Sequence, residues 1–450
     1  MPALTALTLL WFACLPAPSP GPSAAERLTL APPPLTEVQE AQAVITVTLR
    51  LGSASDPTGK EGLSALLAAV ITADAHTRAE AMGGQATHRV TRELASFTVT
   101  GPGPSAVALA EALGAAITAP TLTQEGLERA RGAAQRTLAE PAPEELAAWG
   151  LMAWLYEAHP YRHPPEGRQS ALLTLTLDDL HAQHGARVVR SGAFSGVSAP
   201  AAVQADAAAQ LHAALQRLPP SAATPPTPKP VAEVEGLKGA VIVRPGDAAF
   251  ALGHPLPSLN PAERAALDHG LAAAEAELLA PLLKARAPAP RLSLRRVPAP
   301  ALGDVEAAGT LTLLVSGLPN PRLAETLGLT QLALEAAARG DLLLTTAAPA
   351  AAVGLPALLA EAALGPAGRW PEPSPNPNVD AARAALKAHL HPQDLRVVVV
   401  TPDPAMFLPI GLEDVPPGAV HPADAAAATP PRYDGPVTTW IPLSVEELTR

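Results

Sequence analysis

The sequence predicts an α+β fold built as two units, on three observations. Segments with strand character and segments with helical character alternate along the 450 residues. The order strand, helices, strand recurs in both halves. Between the halves, Pro219-Pro220 through Pro230 is rich in Pro, Ser, Thr and Ala, a composition that makes an extended, semi-rigid connector. The organisation expected is a signal peptide at 1–25, a first unit at 26–217, a linker at 218–235 and a second unit at 236–450.

Taken in order, Ala43–Leu51 alternates and is β-branched, as a strand requires. Glu61–Met82 is helical in pattern, although its many alanines blur the apolar period. Leu94–Thr100 reads as a strand, Ser105–Thr118 and Gln124–Glu140 as helices, the second with Thr123 as its N-cap. A further helix spans Glu144–Ala158 and another starts at Leu177. Arg187–Val197 reads as a strand and Ala201–Leu218 as a helix. The second unit restarts with the short strand Gly239–Val243. Helix Pro261–Lys284, strand Thr310–Val315, helix Pro321–Ala338, helix Val379–Leu390 and strand Leu395–Thr401 follow.

Hydrophobic residues make up 48% of the chain, enough for real cores, but aromatics only 3%, so those cores are mostly Ala, Leu and Val. The 53 prolines exceed twice the usual ~5% and cluster in connectors, which implies stiff loops. A net charge of −11 without a basic stripe argues against nucleic-acid binding. Ala3–Leu15 is an apolar run of signal-peptide length, and Ser23-Ala24-Ala25 offers small residues for cleavage, so export to the periplasm or outside the cell is expected. That run is too short to span a membrane, and no later stretch reaches the ~20 apolar residues needed. The only cysteine, Cys14, lies inside it. A lipid anchor there is the alternative to simple cleavage.

Asp56–Ile71 reads D-P-T-G-K-E-G-L-S-A-L-L-A-A-V-I. It resembles the opening helix of insulinase-type (pitrilysin-type) zinc peptidases, in which a Gly-Lys-Glu-Gly-Leu lead-in runs into the inverted zinc motif H-x-x-E-H. Gly59–Leu63 keeps that lead-in, but Ala65, Ala68 and Ala69 stand where the motif has His, Glu and His. Positions i, i+3 and i+4 share a helix face. Two histidines there could hold zinc and a glutamate could take a proton from its bound water, whereas alanine offers no lone pair. The resemblance continues through Ala79–Gly84, Thr87–Glu93 and Leu127–Arg131. The last looks like the helix bearing the family's third ligand, a glutamate, and here that neighbourhood is Gln135-Arg136-Thr137. His159-Pro160-Tyr161, Pro164, Gly167 and Leu177–Leu180 resemble a further family segment.

The resemblance implies two processing-peptidase-like units, each an antiparallel-rich sheet covered by helices. It implies zinc as the family cofactor, with the ligands missing here and so no cofactor expected. It implies an arginine and a tyrosine seven residues apart in the second unit that help hold peptide. Lys284 and Arg291 have that spacing, so the tyrosine is missing and the arginine has become lysine. Asp394–Asp403 looks like the late strand of the second unit.

Other constellations are less specific. His159 and His163 are flanked by prolines and read as a loop. His181 and His184, beside Asp178 and Asp179, have the spacing of a two-histidine, one-carboxylate site but sit on a helix that reads as exposed and amphipathic. His389 and His391 end a helix, where protonated imidazole suits the dipole. The expectation is a catalytically silent homologue, the accessory subunit of a heterodimer that forms half of the substrate chamber of a zinc-bearing insulinase-type partner. An active zinc metalloendopeptidase with divergent ligands, and a solitary peptide-binding or scaffold protein, are the alternatives.

Overall fold

A computed structural model of the chain describes residues 42–157, 159–220, 234–284, 290–297, 301–302, 305–306, 309–342, 359, 378–407, 437 and 439–449. The expected signal peptide and most of the expected linker lie outside them.

The first sheet has four strands, β1 (Gln42–Leu49), β2 (Gln85–Val90), β3 (Ala95–Pro102) and β4 (Ala193–Ser198), in the order β2-β3-β1-β4. All its pairings are antiparallel. Along β1, Val, Ile and Thr stiffen the backbone toward extended conformations. Thr46 and Thr48 are bonded across to Thr98 and Ser96 of β3 at 3.1 and 2.9 Å, which satisfies hydroxyls that burial would otherwise penalise.

Helix α1 (Leu63–Glu80) packs against this sheet and is enclosed by α2 (Ala106–Thr118), α3 (Gln124–Ala139) and α6 (Leu177–Arg187). Being covered on several sides, it buries Leu66, Leu67, Val70 and Ile71 without tracing one apolar stripe. Each of these side chains contributes roughly 1.5–3 kcal/mol of burial. Thr123 caps α3 as the sequence predicts, its hydroxyl accepting the Gly126 N–H at 3.1 Å. The short helix α5 (Gln169–Leu172) and α7 (Ala201–Leu215) complete the layer.

The second sheet has six strands: β5 (Lys238–Val243), β6 (Ala248–Pro255), β7 (Arg291–Val297), β10 (Thr310–Leu318), β11 (Arg396–Thr401) and β12 (Trp440–Pro442). Their order is β12-β5-β11-β6-β10-β7, and only the two pairings of β5 are parallel. β8 (Ala301–Leu302) and β9 (Val305–Glu306) form a separate ribbon. One face carries α8 (Pro261–Ala274), which runs through a π turn at Glu275–Leu279 into α9 (Ala280–Lys284). α10 (Leu323–Arg339) and α11 (Val379–His389) cover the same face, and α12 (Val445–Thr449) ends the described chain.

The two sheets repeat one plan. β2-β3-β1-β4 and β7-β10-β6-β11 have the same order, sense and chain path: a strand, a helix, an edge strand, its neighbour, more helices, then a closing strand beside the first. The fold is therefore α+β with two antiparallel-rich, helix-covered units.

Helix α4 (Pro143–Leu155), encoded in the first half, lies on the second sheet. Alternation along the strands divides their side chains. Val241, Phe250, Leu252, Val397 and Val399 face α8, α10 and α11, whereas Ala240, Ile242, Ala249, Ala251, Val398 and Val400 share a core with α4 and the first unit. Small residues on that second face let α4 approach closely. A Cβ on Gly150 of α4 would meet Val398 at 2.9 Å and Ile242 at 3.1 Å. The first unit thus shares one continuous core with one face of the second sheet, while the other face has a core of its own.

Among the described residues six strands are not predicted from the sequence: β2, β6, β7 and β12, and the two-residue β8 and β9. β7 begins directly after Pro290. Arg187 ends α6 rather than opening a strand, and the strand itself starts at Ala193.

Candidate functional site

The lead-in to α1 is built with a remote cap. Gly62 stands at the N-cap with φ 103° and has no side chain to offer. Asp56 supplies the acceptor instead, taking the Gly62 N–H at 2.8 Å, the Ser64 N–H at 2.9 Å and the Ser64 hydroxyl at 2.5 Å. Gln183 of α6 donates to the Ser64 oxygen at 3.1 Å, and Lys60 pairs with Asp179 at the start of α6. The Gly59–Leu63 loop is therefore tied to α6 by side chains.

Burial pushes the Asp56 carboxyl up to about 7, against the hydrogen bonds from Ser64 and Gly62 that favour the carboxylate. A protonated Asp56 can donate to Ser64 Oγ, whose own proton can then turn to the Gly52 carbonyl 3.3 Å away. Since the folded value lies above the ordinary 3.8, this group's stabilising contribution is complete below about pH 4. It falls between pH 4 and 7 and stays low above that. Wild type is expected to lose more stability than Asp56→Asn between pH 4.5 and 8 in denaturant titrations. Parallel profiles would remove Asp56 from this role. The difference stays below the ~4 kcal/mol ceiling of such a displacement, because Asp56 as a residue is half-buried rather than enclosed.

On this tethered helix the motif face is bare. Ala68 is 0% exposed, whereas Ala65 and Ala69 are half-buried. Of the three positions only the central one is closed. Arg136 on α3 is exposed. Methyl groups and a guanidinium offer no lone pair to a cation, so these residues do not fit the zinc that the resemblance implies. Among the described residues no group of three or more His, Cys, Asp or Glu could hold a metal ion.

The histidines near it are occupied structurally. His159 Nδ1 accepts the Tyr161 N–H at 3.1 Å and its ring meets Tyr161 edge-on at 4.4 Å. Arg92 donates to the Tyr161 carbonyl at 2.8 Å, and the Tyr161 hydroxyl bonds Glu93. Desolvation lowers Arg92 to about 10 and raises Glu93. The His-Pro-Tyr segment is thus locked to the turn before β3. The hydroxyl of Tyr156, at the end of α4, meets Thr310 of β10 and ties the same region to the second unit. His184 is bonded to the Ile117 carbonyl at 2.9 Å, which commits that nitrogen as a donor and removes it from any pairing with His181.

Lys284 ends α9 and is exposed. Arg291 opens β7, with Nη1 3.8 Å from Glu144 of α4. It lines a cleft of about 370 Å³ between α4 and the second sheet, with Glu144, Arg244, Asp247 and Ser316; Lys284 does not line it. Asp56, Gln183 and Arg92 had no role in the sequence reading. Asp56 lies six residues before the amide it caps, beyond the reach of local capping patterns.

No protein-family model matches the sequence, and no curated protein does. Solved structures do. A peptidase M16 inactive domain from Pseudomonas fluorescens aligns over 81% of this chain and 93% of its own, with TM-score 0.61 and 16% identity. The first half of the periplasmic protease PqqL from Escherichia coli aligns over 84% and 90%, with TM-score 0.58 and 13% identity. A chain of complex III from Candida albicans aligns over 80% and 91%, with TM-score 0.56 and 12% identity. At these identities the likeness establishes the fold, which is that of the insulinase/pitrilysin-type M16 peptidases.

Proposed function

We propose that this chain is a catalytically silent peptidase homologue, exported, that serves as the accessory half of a heterodimer with a zinc-bearing M16-type subunit. The observation that carries the reading is the contrast on α1. The loop Gly59–Leu63 is held by Asp56, Ser64, Gln183 and Lys60 in a built arrangement, while the face it presents bears Ala65, Ala68 and Ala69. The scaffold is retained and the chemistry is not. In this reading the chain supplies a wall of the chamber that receives peptide, and its partner supplies zinc and base. The M16 inactive domain among the structural neighbours supports silence, and the periplasmic protease supports export. Among the described residues no helix is long and apolar enough to cross a membrane.

An obligate interface of this kind buries at least about 2,000 Å² and survives low-micromolar dilution. Affinity capture of the chain from its native host, followed by size-exclusion chromatography and mass spectrometry, is expected to give a 1:1 complex with a chain carrying intact H-x-x-E-H. A monomer without such a companion, beside a zinc-bearing relative fully active alone, overturns the pairing.

A further inference from the structure

We propose that His254 and His391 form a two-histidine site for a divalent first-row transition ion, in the second unit and separate from α1. His254 sits on β6 opposite Leu311 of β10 and is 3% exposed. Its Nδ1 lies 2.8 Å from the Pro255 carbonyl oxygen. An oxygen acceptor requires a proton on that nitrogen, so the neutral ring is the Nδ1–H tautomer and Nε2 carries the lone pair. That Nε2 is buried and has no hydrogen-bond partner. An imidazole whose far N–H is fixed by a backbone carbonyl, leaving a desolvated lone pair, is the arrangement in which histidine ligates metals.

The second imidazole is in place. The His391 ring, in the turn between α11 and β11, lies 5.6 Å from the His254 ring at 53°. With metal–nitrogen bonds of about 2.0–2.1 Å, two rings sharing one ion have centroids roughly 5–6 Å apart at angles from tetrahedral to trigonal. Asp394 and His389 are close enough to act on His254 electrostatically. Asp394 Oδ1 already accepts the Gly236 N–H at 2.9 Å. No three metal-capable side chains are yet placed to hold an ion among the described residues, so water completes the coordination. Two imidazoles select Zn(II), Ni(II) or Cu(II) over Mg(II) or Ca(II). The ion would clip β6 to the α11–β11 turn and raise stability by mass action.

Calorimetric titration of the untagged full chain with zinc chloride and nickel chloride is the test. One equivalent is expected at micromolar affinity, with no heat from magnesium. His391→Ala, at a half-buried turn position, is expected to weaken binding at least tenfold without changing the melting temperature in chelator. His181→Ala is expected to leave binding unchanged. Long-range nitrogen–proton spectra are expected to show His254 protonated at Nδ1, with Nε2 shifting on zinc addition. Absence of binding up to 100 times the protein concentration overturns the proposal. So does undiminished affinity in His391→Ala, or an unmoved His254 Nε2.

Discussion

Gly167→Ala is expected to destabilise the chain by about 2–5 kcal/mol, far more than Gly59→Ala in the same region. Gly167 has φ +97°, a conformation that costs an L side chain about 1–2 kcal/mol. A Cβ there would lie 2.2 Å from the Glu61 carbonyl oxygen and 2.4 Å from the Gly62 Cα. Both are backbone atoms and cannot swing aside, so the overpacking term of about 1–3 kcal/mol applies in full. Gly62 faces it with φ +103°, and a Cβ on that residue would meet the Glu166 carbonyl at 2.6 Å. The two glycines are therefore in mutual backbone contact, and this contact seats the lead-in of α1 against the segment after His-Pro-Tyr. Gly59 has φ +82° and nothing within 4 Å of its would-be Cβ, so only the conformational cost remains. Chemical denaturation of the two variants checks this directly. A Gly167→Ala loss within 1 kcal/mol of the Gly59→Ala loss would show that the backbone contact relaxes freely.

The same pair shows what the sequence makes legible. Gly167 and Gly62 stand out only through the family resemblance, and their mutual contact spans a hundred residues that no local pattern connects. Helices α2, α3 and α11 were readable because caps such as Thr123 and periodic leucines mark them locally. β6 was not, because Ala248–Pro255 has no β-branched residue. Its strand state comes from burial on both faces, by α4 on one side and α8, α10 and α11 on the other. β2 was missed for the opposite reason, since Q-A-T-H-R-V is an edge strand whose exposed side chains carry no alternation. That α4 belongs to the second sheet's core is a property of tertiary packing. Its residues Leu146, Ala147, Leu151 and Met152 would suit either unit equally well. At the motif, the substitutions were plain in the sequence, but the difference between Ala68 and its neighbours was not. An alanine-rich helix covered on several sides gives no amphipathic stripe from which to read the closed face.

That difference decides what motif restoration does. The triple variant Ala65→His, Ala68→Glu, Ala69→His is expected to remain inactive toward fluorogenic peptides with zinc supplied, and to be destabilised mainly through one position. Ala65 and Ala69 are half-buried on the helix, so imidazoles there can reach solvent, and each substitution is expected to change stability by less than about 1 kcal/mol. Ala68 is 0% exposed, inside the core that holds Leu67 and Ile71. A carboxyl placed there must be desolvated or force the helix away from its neighbours, at several kcal/mol. In an active site that glutamate must hold a proton acceptor against zinc-bound water, so a shut position cannot serve even when the residue type is right. Arg136 still stands where the resemblance places the third ligand, and its charge opposes a cation. The double variant Ala65→His, Ala69→His is therefore expected to fold as wild type does, and Ala68→Glu alone to reproduce most of the triple variant's loss. Peptide hydrolysis by the triple variant more than about tenfold above wild type, with stability retained, would mean that Ala68 opens onto a working cleft and that the proposed silence of this chain rests on three side chains alone.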